Sequence, residues 1–187
     1  VTDNDTAGVI VQISGGTTVI SETGPTSDTY TLVLNSQPTA DVTITITPDT
    51  QSSVGAGAGA SVNRVFTAGN WNVAQTVVIT AIDDAAPEGP HTSVITHSAA
   101  SADGNYNAIA ISDVTADVQD NDLNGTTIDQ TSGSTAVSET GPTSDSYTIV
   151  LDSGPTADVT ITIDTDTQLD LGAGPGVPID ITFTTMN

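Results

Sequence analysis

SETGPTSDTYTLVLNSQPTADVTITI, residues 21–46, decides the fold. Its last five residues, Val42-Thr43-Ile44-Thr45-Ile46, alternate apolar and Thr without error. A period of two puts every second side chain on one face, the signature of a half-buried strand. Tyr30, Leu32 and Leu34 share a face of the strand before it, and residues 35–40, with Pro38, form the turn between them. Working outward, the same reading predicts strands at 9–13, roughly 61–66, 73–82, 93–97 and 109–118, with the first ending near Glu22. β-Branched residues fill them, and none shows a helical period. Gly55-Ala56-Gly57-Ala58-Gly59-Ala60 reads as a flexible loop. Seven short strands in about 115 residues describe an all-β, antiparallel, immunoglobulin-like sandwich. This regularity outweighs the disorder that an acidic, aromatic-poor chain suggests by composition.

The stretch is written twice. Residues 138–163 read SETGPTSDSYTIVLDSGPTADVTITI, offset by 117 residues and identical at 22 of 26 positions. The same offset carries Asp3-Asn4-Asp5 onto Asp120-Asn121-Asp122 and Gly55 onto Gly172. A period this long is a whole β domain, not a solenoid repeat. The expected organisation is residues 1–5 as the end of a preceding repeat, 6–122 as a complete repeat, and 123–187 as the first half of the next. That half is expected to be either continued by its own polypeptide or completed in trans by another copy. With no initiator Met, signal peptide or hydrophobic span, the chain reads as an excerpt from a tandem array. Any function must then be repeatable, which favours mechanics, adhesion or ion binding over catalysis.

The formal net charge is −22, with 23 acids against a single basic residue, Arg64. Such a surface repels nucleic-acid phosphate and anionic lipid and attracts cations. The absence of Cys removes disulfides, thiolate zinc sites and Cys nucleophiles. An acidic, Thr-rich, Lys-free and Cys-free chain suits an extracellular or cell-surface protein.

If strands alternate up and down, the first ends near Glu22, the third at Asp49, the fifth at Asp83-Asp84 and the seventh at Asp120-Asn121-Asp122, all at one pole. Glu88 follows the fifth. Seven of the twelve acids between Thr6 and Asp122 meet there: Glu22, Asp49, Asp83, Asp84, Glu88, Asp120 and Asp122. Like charges so close destabilise an empty fold, and a divalent cation turns the repulsion into coordination. Calcium fits best, because it takes 6–8 oxygens, mixes carboxylates with carbonyls and tolerates irregular geometry. Asp41, Asp103, Asp113 and Asp117 read as solvated surface.

At this point the residues resemble a family. Val77-Val78-Ile79-Thr80-Ala81-Ile82-Asp83-Asp84, then Glu88-Gly89, the terminal Asp120-Asn121-Asp122, and the Ser21-Glu22 entry are similar to the Calx-beta domain. That domain is known from the calcium-regulatory region of sodium–calcium exchangers and from large bacterial surface proteins. The resemblance covers the first repeat and the first half of the second. It implies calcium at the C-terminal pole, held by Glu22, Asp49, Asp83, Asp84, Glu88, Asp120 and Asp122, with Asn121 in place of the triplet's middle acid. Asn121 and the diluted loop Ala85-Ala86-Pro87 imply fewer or weaker ions than a dedicated sensor holds.

Other motifs read blandly. Asp164-Thr165-Asp166-Thr167 lacks the Gly and closing Glu of an EF-hand loop. Thr43-Ile44-Thr45 and its copy are the outer face of a strand. His91 and His97 read as ordinary structural histidines, Trp71 as a plug for the sandwich or its edge, and no Ser-His-Asp arrangement is set up. The resulting expectation is no enzyme, but a calcium-stabilised structural or adhesive repeat of a secreted bacterial surface or filament-forming protein. A cation near the short linker Leu123-Asn124-Gly125 would stiffen the joint between repeats. Partners are neighbouring repeats, head-to-tail or side by side. The alternative is a calcium-responsive regulatory module.

Overall fold

The structure, a computed structural model, describes residues 5–185. Asp3 and Asn4, which carry most of the expected remnant of a preceding repeat, lie outside them. The chain divides into two units, Val1–Asp84 with Glu88–Asn121, and Ala85–Pro87 with Asp122–Asn187.

The first unit contains β1 (Val9–Ile13), β2 (Thr18–Ser21), β3 (Ser27–Leu34), β4 (Val42–Pro48), β5 (Ser52–Ser53), β6 (Val62–Phe66), β7 (Gln75–Ala81), β8 (His91–Ser101) and β9 (Val114–Gln119). One sheet runs β1-β3-β7-β5 and the other β2-β9-β8-β4-β6. Together they make the immunoglobulin-like sandwich that the alternation predicts. The inward positions of β3 and β7, Tyr30, Leu32, Leu34, Val77 and Ile79, and those of β4, β8 and β9 in the other sheet, Val42, Ile44, Ile46, Ile95, Val114 and Val118, form one buried core. Each such side chain is worth roughly 1.5–3 kcal/mol when fully buried. Trp71 packs against this core, and its carbonyl accepts from the Leu34 N–H at 3.0 Å.

Three details depart from the sequence reading. The first strand is broken, not continuous. Gly15 and Gly16 take φ of +63° and +86°, which only glycine adopts freely. The turn at Ser14–Gly16 therefore hands the chain from the β1 edge of one sheet to the β2 edge of the other. There β2 pairs with β9 in parallel. The last predicted strand starts later, at Val114, because residues 103–109 fold into turns anchored by buried Tyr106, whose hydroxyl donates to the Ser36 carbonyl at 2.7 Å. Asp103 is no solvated acid. It is 5% exposed and its carboxylate accepts from the N–H groups of Thr39 (2.8 Å) and Asn105 (3.0 Å). Those bonds hold its pKa below the usual carboxylate value. Alternation cannot reveal such a residue, because it lies in a turn.

The second unit repeats the local pairing to the residue. β10 (Thr126–Gln130) pairs with β11 (Tyr147–Leu151), and Thr126↔Leu151 copies Val9↔Leu34. β12 (Val159–Ile163) pairs with β13 (Ile179–Phe183), and Val159↔Phe183 copies Val42↔Phe66. Each pair stands as its own two-stranded sheet. None of the described residues from 123 onward is buried. Val42 is 0% exposed, whereas its copy Val159 is 37% exposed. The local code is satisfied, but the strands that cover it in the first unit, β7 to β9, have no counterpart among the described residues of the second.

Tyr30 Oη and His97 Nε2 lie 2.7 Å apart across the sandwich, with their rings edge to face. Burial, the largest influence, lowers the His97 pKa against smaller opposing effects of the Ser112 backbone and the Asp113 charge. The folded pKa is thus below the unfolded value of ~6.5, so this group's stabilisation is complete above that pH and is lost as pH falls below it. Thermal melts of His97→Gln should therefore be less pH-dependent than those of the parent between ~6.5 and ~5; equal dependence would show that His97 titrates normally. Hydrogen exchange checks the contrast between units: amides of β10–β13 should exchange far faster than those of β4, β7 and β8, since no buried side chains hold them. Equal protection would contradict the exposed second unit.

Candidate metal centre

Strand directions bring the pole together. β9 runs parallel to β2 and antiparallel to β8, which is antiparallel to β4. The ends of β2, β4 and β9 therefore share one end of the sandwich with the start of β8. In the other sheet, Ser27 at the start of β3 pairs with Thr80 at the end of β7, which brings the end of β7 to the same place. Glu22, Asp49, Asp83 and Asp120 follow these four strand ends directly or within two residues.

Glu22 extends the β2–β9 ladder by one rung, its N–H donating to the Gln119 carbonyl at 3.0 Å. A tight turn follows: the Thr26 N–H donates to the Ser21 carbonyl at 2.8 Å, and the Ser21 N–H to Thr26 Oγ1 at 2.8 Å. This geometry fixes the Glu22 side chain inward, where it is only 1% exposed. No N–H or O–H group donates to either carboxylate oxygen. The hydrogen bond it can make is with the Asp120 carboxyl, and only when one of the two is protonated. Burial first, then the charges of Asp120 and Asp84, push its pKa up, against a smaller opposing pull from His91. A carboxylate that is buried, without donors and beside like charge is costly.

Its neighbours are tied in place by the loop between β7 and β8. Asp120 Oδ2 accepts from the Gly89 N–H at 2.5 Å, locking that loop onto the end of β9. Both Glu88 oxygens accept from the Gln51 side-chain amide, at 2.8 and 2.9 Å. Asp83 Oδ1 accepts from the Asn121 amide at 3.3 Å, so Asn121 orients an acid of the pole instead of adding a charge. Asp83, Asp84 and Glu88 face solvent. Asp122 is described with the second unit.

Asp49 is held differently from Glu22. Its Oδ1 accepts from the Gln51 N–H at 3.1 Å and Ser93 Oγ at 2.6 Å, and its Oδ2 from the Val94 N–H at 2.7 Å. Ser93 Oγ in turn meets Ser52 Oγ at 2.7 Å. With three donors satisfied, this carboxylate fastens the end of β4 to β8, and it stands outside the groups of candidate ligands in the pole. The residue that sequence reasoning missed is His91. Its spacing of six residues from His97 reads as structural, yet a strand that starts at the pole delivers a side chain there as well. One oxygen each of Glu22 and Glu88 and one nitrogen of His91 lie within 4.8 Å of one another.

The repeat supplies an internal control. Glu139, the copy of Glu22, is exposed. Asp166, the copy of Asp49, keeps the local bond from the Gln168 N–H at 2.9 Å, with no counterpart of β8 among the described residues of this unit. The single basic side chain, Arg64, donates to the Asn63 and Thr76 carbonyls, far from neutralising the pole. Among the described residues no Lys or Arg pairs with these acids.

No protein-family model matches the chain, and no curated protein does. Among solved structures, the calcium binding domain CBD12 of CALX1.1 aligns at a TM-score of 0.41 and 14% identity, over 94% of this chain and 70% of that one. CBD12 from CALX1.2 aligns at 0.41 and 15%, over 95% and 70%. At that degree of likeness the pole stands on its own geometry.

The geometry makes a direct prediction for the metal-free protein. Glu22→Gln removes a buried charge that has no donor while keeping the shape, so its melting temperature should rise above that of the parent in chelator. A fall would mean that Glu22 is already satisfied as an anion.

Proposed function

We propose that the first unit is a calcium-binding structural module, with the ion at the pole that Glu22 shares with Asp84 and Asp120. The single observation that carries this reading is the Glu22 carboxylate, nine-tenths buried and more, receiving no donor. A divalent cation supplies what the protein does not. The charges of Asp120 and Asp84 already act on Glu22, and carboxylate oxygens are the donors that calcium accepts. The spacing of the two copies supports a repeated module, and the acidic, Lys-free composition supports an extracellular or cell-surface setting in which calcium is plentiful. In that setting the ion acts as a structural fastener for adhesive or filament-forming repeats, with neighbouring repeats as partners, and no catalysis is assigned. The second unit is read as the opening half of another such repeat, whose open face other strands cover.

Calcium titration with thermal melts tests this. Because the ion binds only the folded state, the melting temperature should climb with the logarithm of calcium above its dissociation constant. A joint in an extracellular array should respond at roughly 10⁻⁴–10⁻³ M, as extracellular modules do. Asp120→Asn should remove most of the gain. Asp117→Asn, on the exposed face of β9, should leave it intact; Asp103 is unsuited as a control because it is buried and bonded. No shift at millimolar calcium, or an equal loss in both variants, would reduce the pole to generic charge. Saturation at micromolar calcium would move the reading to a regulatory sensor.

A further inference from the structure

His91 stands at the first position of β8, at the same pole. Its Nδ1 lies 2.9 Å from the Gly89 carbonyl oxygen. A carbonyl only accepts, so Nδ1 is the protonated, donating nitrogen of this ring. In the neutral imidazole the lone pair then belongs to Nε2. That atom is buried, has no hydrogen-bond partner, and lies 3.5 Å from Glu88 Oε2. It therefore turns a lone pair towards two carboxylates, Glu88 and the donor-free Glu22. Three electron-rich groups converge with no donor among them to hold them together.

We infer that Glu22, Glu88 and His91 form a mixed nitrogen–oxygen site for a borderline dication, of which Zn²⁺ is the best match. Imidazole nitrogen is a ligand that calcium does not seek and zinc does. Zinc bonds to His nitrogen and carboxylate oxygen at ~2.0–2.2 Å, so tetrahedral ligands stand about 3.4 Å from one another. The His91–Glu88 separation of 3.5 Å already matches, and all three ligand atoms lie within 4.8 Å. The donation from Nδ1 to a backbone carbonyl is the outer support that fixes ring orientation and tautomer in metal-bound histidines. The Gln51 amide gives Glu88 a comparable support. Three protein ligands leave a fourth position for water. The inference shares Glu22 with the calcium reading but depends on different neighbours. The two ions accordingly compete for one buried carboxylate.

The chain has only two histidines, which makes the test clean. In a ¹H–¹⁵N spectrum of the imidazoles, Zn²⁺ should shift the His91 ring signals and spare those of His97, which is half-buried against Tyr30. Zinc titration should show at least tenfold weaker binding in Glu22→Gln and in His91→Gln, while His91→Gln keeps the calcium-dependent rise in melting temperature and so proves folded. Unmoved His91 signals, or unchanged zinc affinity in His91→Gln, would overturn the site and leave His91 as the ion-pair partner of Glu88. A zinc response without any calcium response would support this site and remove the calcium reading alone. Calcium response with no effect on His91 would do the reverse.

Discussion

The structure of the first unit depends on the pairing of β9 with both β8 and β2. That pairing completes the second sheet, covers the inward faces of β3 and β7, and draws the ends of β2 and β9 side by side. The ladder then continues one residue past β2, and that residue is Glu22. Burial of the core and burial of a charge at the pole are therefore one event. The same turn sequence recurs at Ser138 to Thr143, with the same local bonds from Ser138 N to Thr143 Oγ1 and from Thr143 N to the Ser138 carbonyl. Without strands beside it, that turn leaves Glu139 in solvent. Local sequence makes the turn, and long-range pairing makes the site.

How much was legible in the sequence follows from the same distinction. Alternation at Val42 to Ile46 and at Tyr30, Leu32 and Leu34 reports a local property, the face of a strand, and it marked the strands and the core correctly. Chain direction placed strand ends at a common pole, because it needs only the up-and-down rule. The glycine pair that moves the chain between sheets was invisible, since a turn between two apolar runs reads as a continued strand with a bend. Donor counts were invisible as well. Asp49 and Glu22 look alike as acids after strand ends, yet one receives three hydrogen bonds and the other none. Asp103, read as solvated, is buried in a turn by two N–H groups. His91, six residues from His97, reads as structural, because spacing along one strand does not show which acids other chain segments bring beside it.

The pole divides its polar side chains by what they bond. Asp49, Asn121 and Gln51 spend their polar groups on holding β4, Asp83 and Glu88 in position. Among the acids of the pole, Glu22 alone is buried without a donor, and in the proposed reading a cation answers it. A proton shared with Asp120 is the least that relieves the site, and a divalent cation relieves it more fully at neutral pH. In the proposed reading, that choice links stability to ion concentration without any moving part.

The most direct test is a crystal structure of the chain grown with calcium, with the ion located by its anomalous scattering. The account predicts an ion bound to a Glu22 oxygen at about 2.3–2.6 Å, the usual calcium–oxygen distance. A buried Glu22 that shares a proton with Asp120 at neutral pH and high calcium, with no ion against it, would contradict the account.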